Sequence, residues 1–449
     1  MQTTPLPYLR PVRAGAVPTA RPRNTGVYLA VALGYMLMLL PTQFNVGIYT
    51  TQIPPYRFLL LASMLFIMAQ LFRKKVRLGW ADLLVTVATG WIIVALFVTT
   101  EATEAFTSTV AQGADILIAY FFGRSTLRNL RDLRLLLLLM LPGVAFVGAV
   151  MTIESITHTH IIQGFASQIT GKPLMYGSSP RLGLLRARGP FPHPIGAGIF
   201  LATFLPIYWL SGMRGWSRII GIAASFASFF AVSSGALLAL LGSLGLVFYN
   251  WLSERIANFT WQIFFVVAGI ITFALELGTN SGTVSILIRI SSLNSATGYG
   301  RVQIWRYGTE NVEKNPWFGV GYGDWERPIW MPESIDNNWL MLAIQFGVLP
   351  PLLILAAVLL ALIALSRRSI TSNYIDRRFE RAVAMSLAIF TFGGATVAFW
   401  GSIQVWFFVL LGIAVTLGQQ NRLVRAPAML RPARGPQEAM AYRQPVRLP

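Results

Sequence analysis

Apolar runs of membrane-spanning length recur along this chain, separated by short polar links and by two longer polar stretches. A helix of about 17–25 apolar residues is what crosses a hydrocarbon core of roughly 30 Å. Such runs occupy 27–44, 55–72, 80–99, 105–123, 134–152, 194–211, 217–232, 235–252, 260–277, 337–366, 382–399 and 401–418. About twelve spans predict an all-α fold, a polytopic membrane helix bundle, because a spanning helix satisfies its own backbone in lipid. The first run is long, lacks a small-residue cleavage site and is followed by a second span, so it reads as a span and not a signal peptide. The polar stretches are 153–193 and 278–336, and the second is predicted to hold short helices. Within it, residues 300–310 read as an amphipathic helix ended by Asn315-Pro316, with Arg301 and Trp305 four apart on one face.

Composition agrees with this pattern. The 449 residues are 55% hydrophobic and 12% charged, about half the charge of an ordinary soluble domain. The domain organisation expected is a disordered cytoplasmic arm (1–24), a transmembrane domain (25–418) that includes both polar loops, and a disordered cytoplasmic tail (419–449). The formal charge of +19 changes meaning once its sources are located. Most of the basic residues fall on the termini and on alternate links, the positive-inside pattern, which places both termini in the cytoplasm and both long loops outside. The charge excess is then topology and contact with anionic membrane lipid, and no nucleic acid partner is expected. ATP and nucleotide sugars are absent outside, so any reaction there must use an already activated substrate. There is no cysteine and there are three histidines, so no disulfide, no metal site and no cofactor are expected.

Candidate chemistry concentrates in the two loops. The first ends in Arg186-Ala-Arg188-Gly-Pro-Phe-Pro-His193-Pro-Ile-Gly196. Prolines ahead of an apolar run mark a helix N-terminus, whose free N–H groups and dipole favour an anion. Ser233-Ser234-Gly235 presents a second N-terminus at the same face, with serines suited to cap it. The glycines around Tyr322 in Phe318–Gly323 lack the strand–turn–helix setting of a phosphate loop and read as tight turns. Asp336-Asn337-Asn338 opens the tenth span, where Asp336 suits an N-cap. Gly347, Pro350 and Pro351 interrupt that span, so 337–347 reads as a half-helix lining a cavity. Asp115 is the carboxylate nearest mid-membrane and should face the bundle interior or a wet cavity. Arg57 lies near the outer start of its span, free to snorkel or to face a lipid phosphate.

The ordered set RARGPFPHP, SSGALLALL, Arg301 with Trp305, NPWFGVGYG and DNNWL followed by a glycine resembles the O-antigen ligase and O-antigen polymerase superfamily. By motif the likeness covers roughly 180–350. It implies a metal-independent glycosyltransferase of the C-type fold in the bacterial cytoplasmic (inner) membrane, acting at its periplasmic face. The implied reaction moves glycan from undecaprenyl diphosphate to an acceptor hydroxyl, beside a possible polysaccharide co-polymerase. Carried onto this sequence, Arg188 and Arg301 would hold the diphosphate bidentately. Asp336 stands where ligases usually carry a histidine that assists deprotonation of the acceptor, and a carboxylate can take that proton. Arg186, His193, Arg306, Asn337, Asn338, Trp305, Tyr322 and Arg57 are the substrate-binding candidates. The departure at Asp336 favours a polymerase joining undecaprenyl-diphosphate-linked oligosaccharides. A ligase using another acceptor, and a transporter of lipid-linked saccharide, are the alternatives.

Overall fold

The computed structural model describes residues 31–32, 34–48, 51–73, 76–127, 129–173, 180–256, 258–278 and 295–419. The expected arm, the tail beyond Gln419, Lys74, Lys75, Arg128 and Arg289 lie outside them, as does the start of the first expected span. The chain folds as an all-α membrane protein. Its one described sheet is a hairpin of β1 (Val46–Ile48) and β2 (Thr51–Ile53), paired antiparallel.

Helices α1 (Pro55–Phe72) and α2 (Trp80–Thr99) match their expected spans residue for residue. Next come α3 (Ala102–Thr126), α4 (Leu130–Thr157) and the short α5 (Ile161–Thr170). They are followed by α6 (Pro194–Leu210), α7 (Trp216–Ala231), α8 (Ser234–Arg255) and α9 (Trp261–Gly278). The second half holds α10 (Ser295–Lys314), α11 (Asn338–Phe346), α12 (Leu349–Thr371), α13 (Tyr374–Gly393) and α14 (Ser402–Gln419). Among the described residues, 7 helices are long and apolar enough to cross a membrane, and α6, α7 and α9 are shorter apolar helices.

The bundle is organised around α6 and α14, which are buried on nearly every face. A helix without a polar stripe belongs in the interior, and these two pack against α8, α13, α3 and α12. Small residues let α3 and α14 approach backbone to backbone. A Cβ on Gly123 would lie 2.2 Å from the Val409 carbonyl oxygen, and one on Gly412 would lie 2.2 Å from that of Tyr120.

Two expected spans differ in a way that matters for the site. The run 337–366 is two helices, broken at Gly347 with φ +85°. Pro350 and Pro351 sit in the first turn of α12, where no helical hydrogen bond is lost, and do not kink a continuous span. The run 382–399 is helical only to Gly393. Residues 394–401 leave the helix because α11 satisfies their backbone: Asn338 N–H donates to Gly394 O (2.7 Å) and Asn338 Oδ1 accepts from Phe399 N–H (3.0 Å). Hydropathy could not register that exchange, since the segment is itself apolar.

The short links gather at one end, where their basic residues are partly neutralised. Arg124, 3% exposed, pairs with Asp82 at 2.7 Å, Arg368 with Glu380 at 2.6 Å and Arg134 with Asp376 at 3.2 Å. The two long loops meet at the opposite end.

Candidate functional site

The first loop is tied down by its own buried polar residues. Glu154, at the end of α4 and fully buried, accepts from the backbone N–H groups of Arg188 (3.2 Å), Gly189 (2.9 Å) and Ile162 (3.3 Å). Gln163 of α5 donates to the carbonyls of Gly189 (3.2 Å) and Phe191 (3.1 Å). Ser155 donates to Leu185 O, and Ala187 N–H to Phe230 O. Gly189 takes φ +53°, which makes the tight turn after Arg188 possible. This loop is therefore built with the precision of a helix end, although hydropathy shows only a polar gap.

Arg188 is 1% exposed, and its Nη1 donates to Pro192 O at 3.3 Å, leaving Nε and Nη2 without hydrogen-bond partners among the described residues. Burial lowers its basicity, and Glu154 opposes that. His193 occupies the N-cap of α6, where Nδ1 accepts from Ile195 N–H at 3.3 Å. In the neutral ring the proton then resides on Nε2, which can donate to a ligand. The residue is solvent-exposed. Dense surrounding protein and the charges of Arg186, Arg188 and Arg301 push it down to about 4, so the ring is neutral near pH 7.

From the second loop, α10 delivers Arg301, 6% exposed, against the N-terminus of α8. Its Nη1 donates to Ser234 Oγ (3.4 Å), its Nη2 donates to Thr396 O (3.2 Å), and its Nε lies 3.8 Å from Asp336 Oδ2. Burial lowers the basicity of Arg301, with Asp336 opposing and Arg181 adding. Arg186 is pushed down to about 10 by burial and by Arg181 and Arg301, against Asp336. Asp336 is itself raised by burial, against the pull of Arg301 and Arg186. Its side chain keeps 36% of its surface exposed, so it can be reached from the cleft while sitting in a poorly solvated setting.

The structure brings Arg186, Arg188, His193, Arg301 and Asp336 into one electrostatic neighbourhood. Arg301, Trp305, Asp336 and Asn337, with Ile304, Leu340 and Ala395, line a small cleft. Asn337 is the N-cap of α11, accepting from Trp339 N–H (3.0 Å) and Leu340 N–H (3.1 Å). The carboxylate of Asp336 is consequently not the cap and stays available to Arg301 and to a ligand. Ser233 stands at the N-cap of α8 without a side-chain capping bond, and Ser234 receives Arg301. The preceding residue, Val232, has φ +41°, a strained setting for a β-branched side chain.

Other sequence candidates lie elsewhere. Arg306 is exposed and pairs with Glu310 at 3.5 Å. Asn338 is 5% exposed and engages residues 394–399. Tyr322 accepts from Gln112 Nε2 at 2.9 Å. Arg57 is held bidentately by Asp115 (3.0 and 2.7 Å) in place of a lipid phosphate. The glycines of the Phe318–Gly323 segment serve the end of α11: Val320 N–H and Gly321 N–H donate to Ile344 O and Gln345 O, each at 2.9 Å. Arg181, Glu154 and Thr396 belong to the site and were not among the sequence candidates. Arg181 sat in the polar loop without a motif, and Glu154 is legible only as an acid at the end of an apolar run.

Arg181, Arg186, Arg188 and Arg301 thus face Asp336 and Glu154, a positive excess of two even with both acids ionised. Arginine forks beside helix N-termini suit phosphate oxygens. Residues 219–350 match the family model described as O-antigen ligase. The matched segment carries Ser234, Arg301 and Asp336, while Arg181, Arg186, Arg188 and His193 precede it. No curated protein matches the chain.

Proposed function

We propose that the chain is a membrane polysaccharide polymerase that transfers undecaprenyl-diphosphate-linked glycan to a hydroxyl of an acceptor lipid-linked repeat at the periplasmic face. The family points to membrane glycosyl transfer of the O-antigen ligase/polymerase type. The observation that carries the finer reading is the convergence of Arg301 and Arg186 on the carboxylate of Asp336, beside the unoccupied hydrogen-bonding capacity of Arg188.

In this reading the diphosphate lies among Arg186, Arg188 and Arg301, with His193 Nε2–H and the N-terminus of α6 completing its shell. Asp336 takes the proton of the acceptor hydroxyl. The oxygen attacks the anomeric carbon, the C–O bond to the lipid diphosphate breaks, and the electron pair leaves on the phosphate oxygen. The guanidiniums then meet a charge that has grown in the transition state, where each such donor contributes typically about 2.7–4 kcal/mol. Asp336 stands apart from a ligase's usual histidine, which favours another lipid-linked repeat as acceptor.

The test is a purified, reconstituted chain supplied only with lipid-linked repeat, read by product length. Longer glycans are expected from the wild type. Asp336→Asn should make none while retaining its fold, because Asn337 and not Asp336 caps α11. The wild-type rate should also fall as pH drops through the raised pKa of Asp336, above the ordinary carboxylate value of about 3.9. Full polymer from Asp336→Asn contradicts the base role, and product formed only with an added, different acceptor would make the chain a ligase.

A further inference from the structure

A second polar recess lies on the opposite side of α11 from the Asp336 cleft. Its lining combines the polar side chains of Gln112, Asn338, Gln345 and Gln404 with apolar walls from Ile116, Met341, Leu342, Phe399 and Phe408, around a volume of ≈ 20 Å³. Gln404 Nε2 donates to Gln112 Oε1 (3.1 Å), and Gln112 Nε2 donates to Tyr322 OH (2.9 Å). Around the same Gln112 helix, Asp115 is bound by Arg57 and approached by Tyr56 OH at 3.4 Å. Asp115 sits on a π-helical segment, Ala114–Ile118, inserted into α3. Such one-turn bulges re-aim side chains and recur at functional sites.

Three features define what this recess can hold. Its lining residues carry no charge, and Asp115, one turn along from Gln112, has both oxygens taken by the Arg57 fork. A charged ligand would gain little there, whereas amides offer both donors and acceptors to a neutral partner. The side chain of Gln345 makes no hydrogen bond among the described residues although it lines the recess. Finally, the recess and the catalytic cleft share the N-terminus of α11: Asp336 and Asn337 line one, and Asn338 lines the other. A ligand reaching from the first to the second passes over a single helix end.

We infer that this recess is a glycan subsite, in which Gln112, Gln345 and Gln404 receive hydroxyls of the lipid-linked saccharide whose diphosphate sits at Arg301. The inference rests on the diphosphate reading above. The enclosed space accepts a hydroxyl-sized group and not a whole ring, so the sugar lies over the mouth on the side of the exposed Tyr322, with its hydroxyls directed inward. Recognition there adds affinity for glycan without touching the diphosphate.

The experiment compares the affinities of the detergent-purified full chain for two probes, bare undecaprenyl diphosphate and lipid-linked oligosaccharide extracted from the source cells. The wild type should bind the glycan-bearing lipid more tightly. Gln345→Ala combined with Gln404→Ala should weaken that lipid by about tenfold, the loss of roughly two hydrogen bonds. Its affinity for bare undecaprenyl diphosphate should stay unchanged, which also reports an intact fold. Arg301→Ala should weaken both. Equal wild-type affinity for the two lipids overturns the glycan subsite alone, as does a double variant that keeps the wild-type preference. A wild type that binds neither lipid overturns the diphosphate reading and this inference with it.

Discussion

Glu154 shows how much of the candidate site depends on a residue behind its arginines. Its two oxygens accept three backbone N–H groups, and those bonds set the turn that carries Arg188. Glu154→Gln keeps the shape but replaces one acceptor by an NH2 group facing other donors. The expected cost is about 1–3 kcal/mol, because a buried N–H is left unsatisfied. A lower Tm in detergent together with weaker undecaprenyl diphosphate binding is the outcome to look for; a variant unchanged in both shows that the turn holds without the acid. The same comparison explains what was legible at this scale. Arginines beside proline-marked helix starts announce themselves, since their chemistry and spacing sit in the sequence. Arg306, on the same helix, was the lesser arginine candidate in the sequence, and nothing there excluded it from the site. Only the packing of α10 against α11, with the bond from Arg301 to Ser234 at the start of α8, turns Arg301 inward and leaves Arg306 paired with Glu310.

At the scale of elements, the half-helix α11 is the piece that joins the two recesses, and its C-terminus is anchored without side-chain chemistry. Three successive contacts, Val320 N–H to Ile344 O, Gly321 N–H to Gln345 O and Val348 N–H to Pro316 O, fasten it to the 316–321 turn. Glycine is required where the backbones meet. A Cβ on Gly347 would lie 1.9 Å from Trp317 O, at φ +85°. Gly347→Ala should therefore lose on the order of 3 kcal/mol, combining backbone strain with a clash that backbone atoms cannot relieve. Thermal unfolding of the purified variant reads this directly, and a Tm equal to the wild type would show that α11 can shift freely. The break at Gly347 was visible in the sequence as a glycine before two prolines. The end of α13 at Gly393 was not, because the residues that follow it are apolar and leave the helix only to bond with Asn338.

For the whole molecule, the fold class was carried by hydropathy and by the placement of basic residues, both of which are properties of long stretches and survive local errors. The loops that build the site share one end, the paired links around Tyr374 share the other, and the basic residues predict that the first end faces outward. The chain contains no cysteine, so single thiols can report it cleanly. Ile329→Cys, at a fully exposed position, should react with a membrane-impermeant maleimide in spheroplasts of intact cells. Tyr374→Cys should react only after permeabilisation. The reverse pattern would put the arginine cluster in the cytoplasm, where a lipid-linked repeat awaiting polymerisation is not presented.

The most direct measurement is an experimental density map of the chain with undecaprenyl diphosphate bound. Both phosphates are expected within salt-bridge distance of Arg301 and of Arg186 or Arg188, with the lipid-proximal end leaving toward the bilayer and the Asp336 carboxylate on the side from which the acceptor hydroxyl approaches. A diphosphate resolved away from these guanidiniums, with Arg301 still turned to Ser234 and Thr396, would contradict the account.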